Sequence, residues 1–252
     1  MLLGADDPPP VRVLRADGGS DFFLTADHAG RAVPRALGDL GVPAAEMARH
    51  IAWDIGIAGV TERLSALLDA TAVLQVYSRL VIDCNRDPSW ATAMPEVSEL
   101  TAIPGNVGLS AADRAARVAA VFAPYHERIA ALLDARAGRR TVLVAMHSFT
   151  PSFKGESRSM HVGMLYNRDA RLALILLDLL RQEGDLVVGD NAPYAITEDS
   201  DYGVPTHGEK RGLAHVEVEI RQDLIASEAG QAAWAERFAR LLTAADAVLK
   251  GR

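Results

Sequence analysis

Four apolar runs in this sequence end in groups able to do chemistry. FFLTA (22–26) leads into Asp27-His28-Ala29-Gly30, LVI (80–82) into Asp83-Cys84-Asn85-Arg86, and TVLVAM (141–146) into His147-Ser148. HVEVEI (215–220) carries Glu219 near its end and is followed by Arg221. His28 and His147 each follow an apolar run and precede a small residue, a placement that lets an imidazole turn into a cleft and coordinate a divalent metal. A catalytic site of that kind needs a third protein ligand, and Asp54, in HIAWDIG at the expected start of a helix, is the candidate. Its other explanation is charge pairing with the helix dipole. Glu219 can serve as the base that takes a proton from an attacking water and returns it to a leaving amine. Glu217, two residues earlier, is expected to face solvent. Arg79, Arg86 and Arg221 supply guanidiniums that pair with carboxylates in a planar, two-pronged way. Together with Asn85 they are the candidate substrate-binding set, with Arg86 or Arg79 also placed to stabilise an oxyanion.

Other reactive residues fit less well. Cys84 is expected to be a buried, unreactive thiol. Ser148 lacks the G-x-S-x-G setting of a serine nucleophile. His161 and His207 stay open as secondary ligands or transition-state donors. His50, His126 and His215 read as ordinary structural residues.

The elements that must position these groups follow from periodicity. Short, β-branched apolar runs predict strands at 22–26, 72–77, 80–84, 141–146, 161–166, 186–189 and 215–220. Between several of them lie helical patterns: 53–69, 110–136 opened by a Ser110/Asp113 capping box, 169–182, and 227–249. Strands alternating with helices of this length predict one α/β domain spanning 1–252, with a mixed, mainly parallel sheet and helices on both faces. Such sheets bind ligands beyond the carboxyl ends of their strands, which is where the reactive residues fall. The stretch from Pro88 to Gly108 reads as an active-site loop.

Composition narrows the class. The 252 residues are 49% hydrophobic and 23% charged, the balance of a folded globular chain. A net charge of -7 without a lysine and arginine cluster argues against a nucleic-acid partner. A single cysteine, an acidic and proline-rich start, and no apolar stretch near the roughly 18 residues of a membrane span lead to the expectation of a cytoplasmic protein with no membrane partner.

SRLVIDCNRD (78–87), HAGRAVP (28–34), WDIG (53–56), His147-Ser148-Phe149 and VEVEIRQDLI (216–225) together resemble the N-formylglutamate amidohydrolase family, over about residues 24–225. The resemblance implies a fold similar to zinc carboxypeptidases and aspartoacylases, of phosphorylase/hydrolase-like type. It also implies a chain order of metal-binding His, acidic ligand, Arg, Asn-Arg pair, second metal-binding His and catalytic Glu, an order that His28, Asp54, Arg79, Asn85-Arg86, His147 and Glu219 follow here. Two departures stand out. Asp27-His28-Ala29-Gly30 replaces the family's Pro-His-Ser-Gly type of segment, and Arg31 occupies the place of the carboxypeptidase glutamate three residues after the first His. The expected activity is removal of a formyl or other small acyl group from an amino acid, an N-formylglutamate-like small molecule, by water activated on a divalent metal ion, zinc first. The alternatives are a deacylase or carboxypeptidase-like hydrolase of another amide, and an inactive ligand-binding protein on the same scaffold.

Overall fold

The computed structural model describes residues 2–197 and 199–251. Its elements in chain order are β1 (Val11–Leu14), β2 (Phe22–Ala26), α1 (Ala44–Met47), α2 (Ile57–Leu68), β3 (Thr71–Gln75), β4 (Val97–Ser98) and β5 (Thr101–Ala102). They continue with α3 (Ala111–Arg117), α4 (Ala123–Asp134), β6 (Val142–Phe149), β7 (Ser152–Phe153), β8 (Glu156–Ser157) and β9 (Val162–Leu165). The last are α5 (Arg171–Glu183), β10 (Val188–Asp190), β11 (Ala214–Arg221) and α6 (Glu228–Lys250).

Seven strands form one sheet in the order β1-β3-β2-β6-β11-β9-β10. Its central four, β3, β2, β6 and β11, are mutually parallel, while β1 pairs antiparallel to β3, and β9 pairs antiparallel to β11 and parallel to β10. The sheet is therefore mixed and parallel at its centre, as the alternating pattern implied. The two small hairpins β4–β5 and β7–β8 stand apart from it.

Strand periodicity divides the core in two. Leu24, Ala72, Val144, Met146, Val216, Val218 and Ile220 face a layer built by α2, α5 and α6. Phe23, Val73 and Leu143 face the other side, where Tyr125, Ile129 and Leu133 of α4 pack with Tyr77, Leu80, Val81 and Ile82. That second face also receives the odd-numbered polar side chains of β6 and β11.

Most expected elements form, with boundaries shifted by a few residues. The capping box at Ser110 is made in full, and the helical stretch it opens runs on through a π-helical turn at 118–122 into α4. The helix expected from 53 starts only at Ile57, because Gly56 takes a left-handed backbone (φ 83) with its Cα against the Ile225 carbonyl. β1 is an edge strand absent from the sequence expectations.

One expectation is overturned: 80–84 is not a strand. The chain leaves β3 at Gln75 and runs from Ser78 to Arg86 as turns, although Leu80 through Asn85 are all buried. A buried loop must have its peptide groups satisfied by something other than a ladder. Here side chains do it: Asn106 Nδ2 donates to the Leu80 carbonyl, Arg117 Nη1 to Val81, and His126 Nε2 to Cys84. Among the described residues no helix is long and apolar enough to cross a membrane.

Candidate active site

The site lies beyond the carboxyl ends of the parallel strands. Leaving β2, the chain turns at Asp27-His28 and passes so close to the next crossing that a Cβ on Gly30 would sit 1.9 Å from the Val76 carbonyl oxygen. Only glycine permits that approach. The Asp54 amide then donates to the His28 carbonyl at 2.9 Å, fixing the segment before α2 against the turn. Asp54 therefore sits three residues ahead of α2 and faces the cleft, so pairing with the helix dipole does not explain it.

The side chains meet. Asp54 Oδ2 lies 3.5 Å from His28 Nδ1 and 3.1 Å from His147 Nδ1, and it accepts from the Ser148 amide. One ligand atom from each of His28, Asp54 and His147 falls within 4.8 Å of the others, and all three residues are buried. Behind His28, Asp83 Oδ1 is 2.7 Å from Nε2, while Asp83 Oδ2 takes Arg79 Nε at 3.0 Å and Nη2 at 2.5 Å. A carboxylate on one imidazole nitrogen leaves the other with its lone pair facing forward, the usual support of a metal-binding histidine. His147 Nε2 is faced by Asp27 Oδ2 at 3.8 Å and Glu217 Oε2 at 3.9 Å.

β11 brings two carboxylates to the same place. Its parallel register sets Glu219 directly opposite His147, and Glu217, two residues back, shares the face. Glu217 was expected in solvent; it is buried and lines the cleft, because β11 is an interior strand with both sides covered. Five buried polar atoms here have no hydrogen-bond partner among the described residues: Asp27 Oδ2, His28 Nδ1, His147 Nε2, Glu217 Oε2 and Glu219 Oε2. Clustered orphans of this kind mark a place built to hold something polar.

The electrostatics agree. Burial and the Arg79 charge oppose protonation of His28, but Asp83 and Asp54 outweigh them and its pKa rises. Burial also opposes a charge on His147, yet Glu217, Asp54 and Asp27 push its pKa well up. Burial disfavours the Asp54 carboxylate, and the two imidazoles outweigh it and hold its pKa low. Burial lifts Glu217 to about 7 and Glu219 well above the usual carboxylate range. An acid-rich pocket that draws protons onto its histidines also suits a divalent cation, which supplies the same compensating charge. Two imidazoles and a carboxylate are a suitable donor set for one.

The surrounding cavity is about 540 Å³, within the range of small-molecule sites. His28, Asp54, Arg79, Asn85, Arg86, His147 and Glu219 all line it. Asn85, however, spends its amide on the protein: Oδ1 accepts from the Tyr202 and Gly203 amides, and Nδ2 donates to Asp201. Arg86 Nη1 donates to the Asn85 carbonyl and lies 3.5 Å from Asp201. Arg221 does not reach the cavity; it pairs with Asp223 and donates to the carbonyls of Arg158, Ser159 and Met160. His161 accepts from the Val187 amide and His207 stacks on His126, both away from the cleft. His50, by contrast, lines the wall beside Glu99 rather than serving only the core. Cys84 is buried, and burial pushes its thiol well up.

The sequence model of the N-formylglutamate amidohydrolase family matches residues 20–226. The chain belongs to that family. A gene product from Agrobacterium tumefaciens superposes with a TM-score of 0.95 at 38% identity, covering 99% of this chain and 100% of that one. An N-formylglutamate amidohydrolase from Ralstonia eutropha superposes with a TM-score of 0.67 at 18% identity, over 97% and 100% of the two chains, a likeness of fold. Among curated proteins, none matches the chain. Membership makes this an amidohydrolase-family protein. Asp83, which stands in SRLVIDCNRD without an assigned role, supports His28 and Arg79 here.

Proposed function

We propose that the protein hydrolyses the amide of a small N-acyl amino acid of the N-formylglutamate type, with His28, Asp54 and His147 holding a divalent cation, zinc first. The observation that carries this reading is the meeting of those three ligand sets beside a buried glutamate one strand away. The ion supplies a positive centre that acidifies water toward neutrality and polarises the amide carbonyl. Glu219 accepts the proton of the attacking water, and burial raises its proton affinity above that of a free carboxylate, which makes it the stronger base. It then hands that proton to the nitrogen as the C–N bond breaks, releasing the carboxylic acid and the free amino acid. Arg86 faces the oxyanion that forms at the carbonyl. Arg79 serves chiefly to hold Asp83 and Asp54, and through them His28.

The test is formate release from a panel of N-formyl amino acids by zinc-loaded protein, beside elemental analysis. Glu219→Gln is expected to retain metal and fold while losing on the order of 10²–10⁴-fold in kcat. Undiminished turnover in that variant would remove Glu219 from the chemistry.

A further inference from the structure

The arginines expected to grip substrate are largely engaged. Arg79 is bound by Asp83 and lies 3.6 Å from Asp54, Arg86 has Asp201, and Arg221 is taken up by Asp223 and the carbonyls of Arg158, Ser159 and Met160. A different guanidinium stands beside the cavity without a carboxylate. Arg158 closes the β7–β8 hairpin, its amide donating to the Pro151 carbonyl. Arg158 is not itself part of the cavity wall but backs it: its guanidinium carbon lies 4.8 Å from the Phe153 ring centre, 4.9 Å from Tyr194 and 6.0 Å from Phe149, the three rings that line the cavity on this side. Arg158 Nη1 donates to the Tyr194 hydroxyl at 2.7 Å, and it makes no ion pair among the described residues.

Rings stacked on a guanidinium cover its faces and fix its plane, and on Arg158 this leaves the N–H groups other than the one bonded to Tyr194 to meet a carboxylate. The Tyr194 hydroxyl accepts from Arg158 and donates to no described group, so its proton is available to a ligand. Tyr194 lines the same cavity as Glu219, His28, Asp54 and His147. Arg221 has a job in this arrangement, since its three bonds to the carbonyls of residues 158–160 tie the Arg158 segment to the strand that carries Glu219.

We propose that Arg158 and Tyr194 form the subsite that receives the free carboxylate of the substrate, orienting an N-acyl amino acid with its amide toward His28, Asp54 and His147. The inference rests on the amidohydrolase reading given above. Binding is a guanidinium–carboxylate pair with a phenol donor, and no covalent step is involved.

The experiment compares wild type, Arg158→Gln, Arg158→Lys and Tyr194→Phe in zinc-loaded protein. The substrates are N-formyl-L-glutamate, N-formyl-L-leucine and N-formyl-L-leucinamide, whose carboxylate is capped. Arg158→Gln is expected to raise KM for N-formyl-L-leucine by about 10- to 100-fold, the size of a charged hydrogen-bonded contact, with kcat within about twofold. Arg158→Lys should recover part of the loss, Tyr194→Phe should cost only a few-fold, and the capped amide should not distinguish the variants. An unchanged KM in Arg158→Gln, or an equal rise for leucinamide, overturns the subsite while leaving hydrolysis standing. If wild type releases no formate from any of them, the hydrolysis reading fails separately, and calorimetric binding of N-formyl-L-glutamate then decides the subsite. Binding that weakens in Arg158→Gln upholds it, and binding that is absent or indifferent to Arg158 overturns it.

Discussion

Two pairs of buried histidines lie on the same side of the sheet, and they hold protons in opposite ways. His28 and His147 meet edge to face with ring centres 5.0 Å apart; His126 and His207 stack nearly parallel at 5.2 Å. All four are almost fully buried. Burial alone would lower every one of them. It does so for the second pair, where burial and the neighbouring imidazole hold His126 down to about 3, and burial with Arg211 and Lys210 holds His207 down to about 4. In the first pair Asp54, Asp83, Asp27 and Glu217 reverse the outcome. The hydrogen bonds also fix tautomers in the second pair. His126 Nε2–H donates to the Cys84 carbonyl, so His126 Nδ1 accepts from His207 Nε2–H. One pair belongs to a buried His-Asp-His group that could hold a metal ion, and the other is a neutral strut under the Asp83–Arg86 loop.

The same substitution in each pair breaks this contrast most sharply. His147→Gln should lose the bound metal and at least about 100-fold in formate release, more than the effect of removing a mere supporting partner. His126→Gln should keep one metal per chain and near-normal kcat while losing about 1–3 kcal/mol of stability, because the Cys84 carbonyl is buried with its donor disturbed. Elemental analysis and urea unfolding read the two. Equal metal loss in both would erase the distinction.

A smaller effect sharpens the first pair. Asp83→Asn removes the charge behind His28 and should weaken zinc about 10- to 100-fold, measured by competition with a chelator. Unchanged affinity would mean that Asp83 only shapes the loop.

The smallest effect is in pH. His126 and His207 have folded pKa values of about 3 and about 4, below the ordinary 6.5, so between these limits the unfolded chain binds protons that the folded chain refuses. Stability contributed by the pair is complete above about pH 6.5 and falls as pH drops toward 4. His28 and His147, with raised values, carry the opposite sign: in metal-free protein their contribution is complete below 6.5 and is lost as pH rises through their folded values. Urea unfolding across pH 4–7 should therefore give a flatter slope in His126→Gln than in wild type. An identical slope would show that the second pair takes up protons in the folded state.

Much of the site is legible in the sequence because strand ends announce it. His28 and His147 each terminate an apolar run, and Glu219 belongs to an alternating strand, so a parallel sheet brings them together by topology. Three things escape for physical reasons. Leu80-Val81-Ile82 is as apolar as an interior strand, yet side-chain donors from residues 106, 117 and 126 satisfy its backbone, and none of these is near it in sequence. Glu217 looks solvent-facing because alternation reports which residues share a face, not what covers that face. Long-range packing places Arg221 and Arg158: the one at the strand end bonds the Arg158 carbonyl, and the one in an unremarkable hairpin stacks on rings that line the cavity.

The pairing of Glu219 with His147 constrains how the chain can vary in length. β6 and β11 are locked over eight residue pairs, from Ala214 with Val142 to Arg221 with Phe149. Adding or deleting one residue in β11 ahead of Glu217 would rotate Glu217 and Glu219 into the layer held by α5 and α6 and turn valines toward the cleft, and the same change in β6 ahead of His147 would turn His147 out of it. Insertions can be absorbed by the β4–β5 and β7–β8 tips, which belong to no large ladder. In this chain the rim can change length where the two strands beneath it must keep a fixed count.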